Sequence, residues 1–438
     1  MTQLQSMEAR RLPQPHAEPW RPYVAQAPSV LPEFSRYRPR PGHPDFARLE
    51  REAEALARRF APTLEAPPRG PREALRRTRS IATAIQSYVE NRRRARAGRE
   101  DLLPLYFIWT TLRPCNFRCD YCDDHRGARY PELDGHGKLS TEQGFRLLEV
   151  MRTRAPSVYF AGGEPTLRKD LPALTRRARQ LDFYPIVVNT NGSLFHRLLD
   201  KPEWRGFLAD VDILVVSLDA LDLERLAGMW KAPHPEDVIR NLLILRRLCR
   251  AQNVKLMVNT VLQPGLIAEA RAVFDLTEDL GIGFCPVPRN VGPRIDPALL
   301  DDPDYPGLVA HLTSRKRAGA RISGSLRMNQ RLLSSAPLDC RNTLKPHVDH
   351  DGRLAWPCKA TVNVDPEWLD VLAYDHLDQL WAEGTRRRDP RGFHGPGPEQ
   401  CGGNCCWAQN YTTDEYAHGL THPWSLVGAV TDFLRRPE

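Results

Sequence analysis

From Leu105 to Val287, short apolar runs alternate with stretches whose apolar residues recur every three or four positions. The runs are Leu105–Thr110, Val158–Ala161, Pro185–Asn189, Ile213–Leu218, Lys255–Val261 and Gly283–Val287. They have the length of strands and little polar alternation, as expected of strands buried on both faces. Between them the periodicity predicts helices over Thr141–Arg152, Leu171–Leu181, Phe195–Leu199, Glu236–Cys249 and Ala268–Leu280. Parallel strands need long crossovers, so six strand-helix repeats predict a parallel sheet covered by helices. An open Rossmann-type sheet and an incomplete β/α barrel both satisfy this pattern, and the motifs must decide between them.

Residues 1 to 43 are rich in Pro and Arg with little apolar periodicity and read as extended or disordered. Two helices are predicted next, Asp45–Phe60 and Arg72–Arg96, separated by Pro62, Pro67, Pro68 and Gly70-Pro71, with their Arg-rich faces in water. After the repeats, a hairpin is predicted with Asp351-Gly352 as its turn, between Lys345–Val348 and Arg353–Trp356. A helix near His376–Arg387 follows, and the Pro/Gly-rich run FHGPGPEQ leads to CGGNCC. The expected division is an extension over 1–100, a barrel domain over 101–290 and a small α+β domain over 291–438.

Directly after the first predicted strand stands Cys115-Asn-Phe-Arg-Cys119-Asp-Tyr-Cys122. Three thiolates on one short loop bind three corners of a cubane cluster and leave the fourth iron open. A zinc site would need a remote fourth ligand, and three core cysteines at this spacing are the poorer reading. The second strand ends in Ala161-Gly162-Gly163-Glu164-Pro165. Glycines allow a close backbone approach, and a carboxylate complements an ammonium group. Later strand ends carry Asn189-Thr190-Asn191-Gly192 and Ser217-Leu218-Asp219, each also readable as a turn or a helix cap. Asn259, within the fifth strand, is a candidate to face the same cavity.

In series, these motifs resemble the radical S-adenosylmethionine (SAM) superfamily, whose loop has this cysteine spacing and an aromatic residue where Tyr121 stands. The resemblance implies a 4Fe-4S cluster on Cys115, Cys119 and Cys122. It implies cleavage of SAM to a 5'-deoxyadenosyl radical. It also implies cofactor contacts from Tyr121, Gly162, Gly163, Glu164, Asn189, Asn191, Ser217 and Asp219, with Glu164 on the methionine ammonium. Groups collected at strand C-termini are how barrels build sites, so the fold class is α/β, an incomplete six-repeat TIM-like barrel. The later cysteines resemble a twitch domain, the shorter relative of the SPASM domain. That implies an auxiliary 4Fe-4S cluster near the barrel mouth, drawn from Cys340, Cys358, Cys401, Cys405 and Cys406. The C-G-G-N-C-C spacing leaves open whether Cys405 or Cys406 is the ligand, and zinc is the rival metal. Cys249 and Cys285 read as core residues.

Composition changes this picture little. With 41% hydrophobic and 26% charged residues, and no apolar run near the roughly 20 residues that span a bilayer, a soluble protein is expected. The first residues lack a secretory h-region, so a cytoplasmic, reducing setting with free thiols is expected. Residues 1–100 hold 20 Arg, no Lys and 11 acidic residues, which accounts for the net charge of +8. A phosphate-binding arm is one reading of that charge, and a solvated extension is preferred because no nucleic-acid motif accompanies it.

The expected partners are SAM, an electron donor such as ferredoxin or flavodoxin, and a peptide or small-molecule substrate, with neither membrane nor nucleic acid. The expected chemistry is oxidation or crosslinking after hydrogen abstraction. An iron-sulfur electron carrier, a redox-neutral rearrangement and a lipid modification are the alternatives.

Overall fold

The computed structural model describes residues 37–122, 137–292, 294–338, 340–358, 367–388 and 405–425. Most of the expected extended segment, the FHGPGPEQ run and Cys401 lie outside the described residues.

Six parallel strands follow one another in space as in sequence: β1 (Phe107–Thr110), β2 (Val158–Ala161), β3 (Ile186–Thr190), β4 (Ile213–Ser217), β5 (Lys255–Leu262) and β6 (Gly283–Pro288). When every crossover leads to the next neighbour with one handedness, the helices gather on one face and the sheet curls around the other. Among the described residues β6 does not pair with β1, so the barrel is incomplete. Phe160, Val188, Leu214, Val216, Val258 and Phe284 point outward and are buried under the helices. Val187, Val215 and Met257 form a separate apolar cluster on the inner face, with Tyr159, Ile213 and Cys285 packed against it. Two apolar faces explain why the strands read as unbroken apolar runs.

The covering helices begin and end where local chemistry predicts. Helices α1 (Phe46–Phe60) and α2 (Pro71–Arg96) precede the barrel. Helix α3 (Thr141–Arg152) opens on a capping box of Ser140 and Gln143. Helix α4 (Leu171–Gln180) follows β2, and α5 (Leu223–Trp230), which periodicity does not predict, is capped by Asp222 accepting from the Arg225 N–H. Helices α6 (Glu236–Gln252) and α7 (Ile267–Leu280) end on Asn253 and Gly281 in the left-handed conformation. No helix among the described residues is long and apolar enough to cross a membrane.

The expectation of a fully wet arginine face fails on α2. Arg76, Ser80, Ser87 and Asn91 are buried, whereas Leu75, Ile81, Ile85 and Val89 are exposed. The physical cause lies at the starts of the strands, whose backbone groups need partners. Arg76 bonds Asp212 at 2.5 Å and Glu73 at 2.8 Å and donates to the Phe183 carbonyl. The Ser80 hydroxyl lies 2.9 Å from the Pro156 carbonyl and 2.8 Å from that of Tyr184.

After α8 (Tyr305–Arg317) and α9 (Leu326–Leu333) comes the predicted hairpin, β7 (His347–Val348) with β8 (Arg353–Trp356). Its first strand continues the barrel sheet, with β7 parallel to β1 and His347 opposite Ile108. Strand β9 (Glu367–Asp370) adds to β8 and was not predicted, because only Leu369 of its four side chains is buried. Helices α10 (Leu377–Arg387) and α11 (Ala408–Thr421) complete the described chain.

Candidate active site at the C-terminal ends of the strands

The loop after β1 carries Cys115, Cys119 and Cys122, all partly exposed. Its backbone is held from two sides. Arg118 N–H donates to the Trp230 carbonyl at 2.9 Å and Asp120 N–H to that of Met229 at 3.1 Å, docking the loop on the end of α5. On the other side, Gly163 N–H donates to the Leu112 carbonyl at 2.9 Å and Glu164 N–H to that of Pro114 at 3.0 Å. The two glycines are required by this contact. A Cβ on Gly163 would lie 2.1 Å from the Arg113 carbonyl oxygen, and one on Gly162, at φ +138°, would lie 2.4 Å from that of Leu112.

Side chains add further ties. The Tyr121 hydroxyl donates to Asp219, whose carboxylate also accepts from Trp230 Nε1 at 2.7 Å and from the Val261 N–H at 2.8 Å. The Trp230 ring stacks on Phe117 with centroids 5.2 Å apart. Asn191 Nδ2 bonds Asn116 Oδ1 at 2.8 Å and approaches Cys115 Sγ at 3.9 Å, and Asn116 donates to Ser193 Oγ at 2.9 Å.

Glu164, expected on a ligand ammonium, is fully buried and accepts four hydrogen bonds from the protein. Oε1 accepts from Thr166 N at 2.9 Å, Thr166 Oγ1 at 2.5 Å and Thr190 Oγ1 at 2.6 Å, and Oε2 accepts from Asn191 N at 2.6 Å. Burial pushes its pKa up and these four donors oppose that shift. Asp219 is placed in the same way, 1% exposed, pushed up by burial and opposed by its three donors. Both carboxylates therefore brace the site from within. Asn189 and Ser217 remain half-exposed on the inner face, and the buried Oδ1 of Asn189 has no hydrogen-bond partner among the described residues.

Burial also pushes the Cys115 thiol up to about 12 and raises that of Cys119 further, with nearby Glu164 and Asp219 adding to the rise. Such thiols ligate as thiolates only when a bound cation offsets their charge, so the donor set fits a metal cluster. The orphaned Asn189 oxygen beside it fits a polar cofactor. Sequence reasoning missed Trp230 and Asn116 as site residues and had Thr190 only as a member of the Asn189–Gly192 strand end. The Asp222 cap followed by Leu223, Leu226 and Trp230 was the available signal for α5.

The profile of the Radical SAM superfamily matches residues 109–276, the stretch that holds all of these groups. That stretch is a radical SAM domain. The chain is 30% identical over 175 residues to the Fe-coproporphyrin III synthase of Methanosarcina barkeri, a match covering 39% of this chain and 40% of that protein. It is 31% identical over 180 residues to the PqqA peptide cyclase of Xanthomonas euvesicatoria, covering 38% and 44% of the two chains. The chain thus spans less than half the length of these relatives. Streptococcus suis SuiB bound to precursor peptide SuiA shares the fold at a TM-score of 0.51 and 18% identity, over 68% of this chain and 70% of that one. Radical SAM domains use a 4Fe-4S cluster and SAM, and the three-cysteine loop stands within the matched stretch.

A cavity of about 1120 Å³ lies against the inner face and the strand starts, and none of its lining residues belongs to the Cys115 loop. Tyr106, Tyr159, Asn259, Cys285, Asn329 and Gln409 line it. Cys285, read as core from sequence, is thus a wall residue, and Cys249, buried as expected at 1% exposure, borders the same cavity. The C-terminal cysteines divide. Cys340, Cys358 and Cys405 share Lys345 as a charged neighbour, whereas Cys406 Sγ faces Ser335 Oγ at 3.6 Å and the side chain of Tyr411. The expected place near the barrel mouth is not where they lie. Leu105 N–H donates to the Leu344 carbonyl at 2.7 Å, so this group sits beside the start of β1, at the end of the strand opposite the Cys115 loop.

Proposed function

We propose that this protein cleaves SAM reductively and uses the resulting radical to abstract hydrogen from a peptide substrate, leading to oxidation or crosslinking. The observation that carries this reading is the three-cysteine loop clamped between Gly162-Gly163 and Trp230. When bound, the cluster supplies the electron that converts SAM to methionine and a 5'-deoxyadenosyl radical. The chain's own residues hold the loop in place through Asp219 and Trp230, bring Asn191 to Cys115, and present Asn189, Ser217 and the Gly162-Gly163 backbone to the cofactor. The inner cavity, about 1120 Å³, is just above the upper end of the roughly 300–1,000 Å³ of small-molecule sites and has room for a short stretch of peptide. The names of the PqqA peptide cyclase and of SuiB with its precursor peptide support the same class.

We further assign an auxiliary 4Fe-4S cluster to Cys340, Cys358 and Cys405, with Cys401 as a fourth candidate ligand and Cys406 set aside. An external donor such as ferredoxin or flavodoxin would reduce the protein in a cytoplasmic setting.

The test is anaerobic reconstitution with dithionite and SAM. Slow formation of 5'-deoxyadenosine without substrate is expected, and Cys119→Ala is expected to abolish it while leaving the circular dichroism spectrum unchanged. Normal cleavage by that variant would sink the assignment.

A further inference from the structure

Lys345 is 0% exposed, and its ammonium has no hydrogen-bond partner among the described residues. A buried cation without a partner is strongly disfavoured unless anionic charge lies close by. Burial pushes its pKa down, and the groups that oppose this are the side chains of Cys358, Cys340 and Cys405; the hairpin register, with Ala355 opposite His347, brings Lys345 level with Pro357, next to Cys358. All three cysteines are at most 4% exposed. Asn410 closes the same group, its Nδ2 lying 3.4 Å from Cys340 Sγ and 2.9 Å from the Cys405 carbonyl. Neutral thiols would leave Lys345 uncompensated. Thiolates ligating a cluster supply the missing charge.

We propose that Lys345 is the built-in counter-charge of an auxiliary cluster held by Cys340, Cys358 and Cys405, and that it makes that cluster easier to reduce. This rests on the auxiliary-cluster reading above. One-electron reduction adds one negative charge to a cluster, and a fixed cation nearby stabilises the more negative state. Net charge and burial are among the levers that set cluster potentials. Cys406, turned toward Ser335 and Tyr411, lies outside the ammonium's set of charged neighbours.

The experiment uses the full chain carrying Cys115→Ala, Cys119→Ala and Cys122→Ala, so that only the C-terminal cysteines can hold a cluster. After anaerobic reconstitution about four irons per chain are expected. Zinc, or no metal, would overturn both the cluster reading and the role of Lys345. With iron bound, adding Lys345→Met, similar in length but neutral, is expected to move the midpoint potential to a more negative value, read by a redox titration followed by electron paramagnetic resonance. An unchanged midpoint with four irons retained overturns the inference about Lys345 alone. Loss of iron from Lys345→Met but not from Lys345→Arg supports it, and loss from both marks a packing residue and overturns it. A second readout has the opposite sign. In cluster-free protein Lys345→Met is expected to raise the melting temperature, because it removes a buried unpaired charge. A lower melting temperature there speaks against an uncompensated cation and overturns the inference.

Discussion

Glu164 shows how a residue found by its motif is also claimed by the donors around it. The Gly-Gly-Glu spacing after a strand was visible in the sequence, and so was Thr166, two residues on. Thr190 and the Asn191 N–H, on the next strand end, were not, because no local pattern reveals which donors a distant loop will deliver to a carboxylate. Glu164→Gln replaces one acceptor oxygen by an amide that faces donors. A loss of roughly 1–3 kcal/mol in stability is expected from one unsatisfied buried group. Because Asn191 is held by the same carboxylate, affinity for SAM is expected to fall together with the melting temperature. Calorimetry and a thermal melt check this, and weaker binding at an unchanged melting temperature would return Glu164 to direct ligand contact.

At the scale of elements, the six barrel strands were legible to within about two residues because burial on both faces gives short, dense apolar runs. The orientation of α2 was not. Its pattern showed two faces but could not show that strand starts would recruit the polar one. Helix α5 also escaped, eight residues long and held more by its Asp222 cap than by a broad apolar stripe. Its last residue nevertheless anchors the cysteine loop. Trp230→Phe keeps a ring against Phe117 and removes the donor to Asp219, a loss of about 1.5–3 kcal/mol for a hydrogen bond to a charged group. The iron content of this loop is expected to stay near four per cluster, while KM for SAM rises as Tyr121 and its loop lose register. Steady-state kinetics of 5'-deoxyadenosine release check this, and an unchanged KM would show that the Trp230 bond does not position the cofactor.

The whole molecule is organised by one sheet that does not stop at the expected boundary near residue 290. The hairpin turn was readable in Asp351-Gly352, but its pairing with β1, more than 200 positions away in sequence, leaves no local trace. A chain ended after residue 296 would uncover the β7-facing edge of β1, and a bare edge strand invites association. Such a truncation is expected to lose most of its soluble yield and to elute as aggregate in size-exclusion chromatography, whereas a monodisperse barrel would show that the edge is otherwise protected. The same continuity fixes a distance. Lys345 lies level with Tyr106 at the start of β1, and the cysteine loop begins some six residues further on, which at about 3.3 Å per residue separates the two ends by roughly 20 Å. On the proposed function the enzyme is therefore a two-pole device. A hydrogen atom leaves the substrate at one pole and charge is collected at the other, past a wall that holds Tyr106 and Tyr159 with their rings 6.5 Å apart. A compact metabolite cannot touch both poles at once. The length of the first strand sets that separation, and an electron passing from a substrate radical to the auxiliary group would have to cross it.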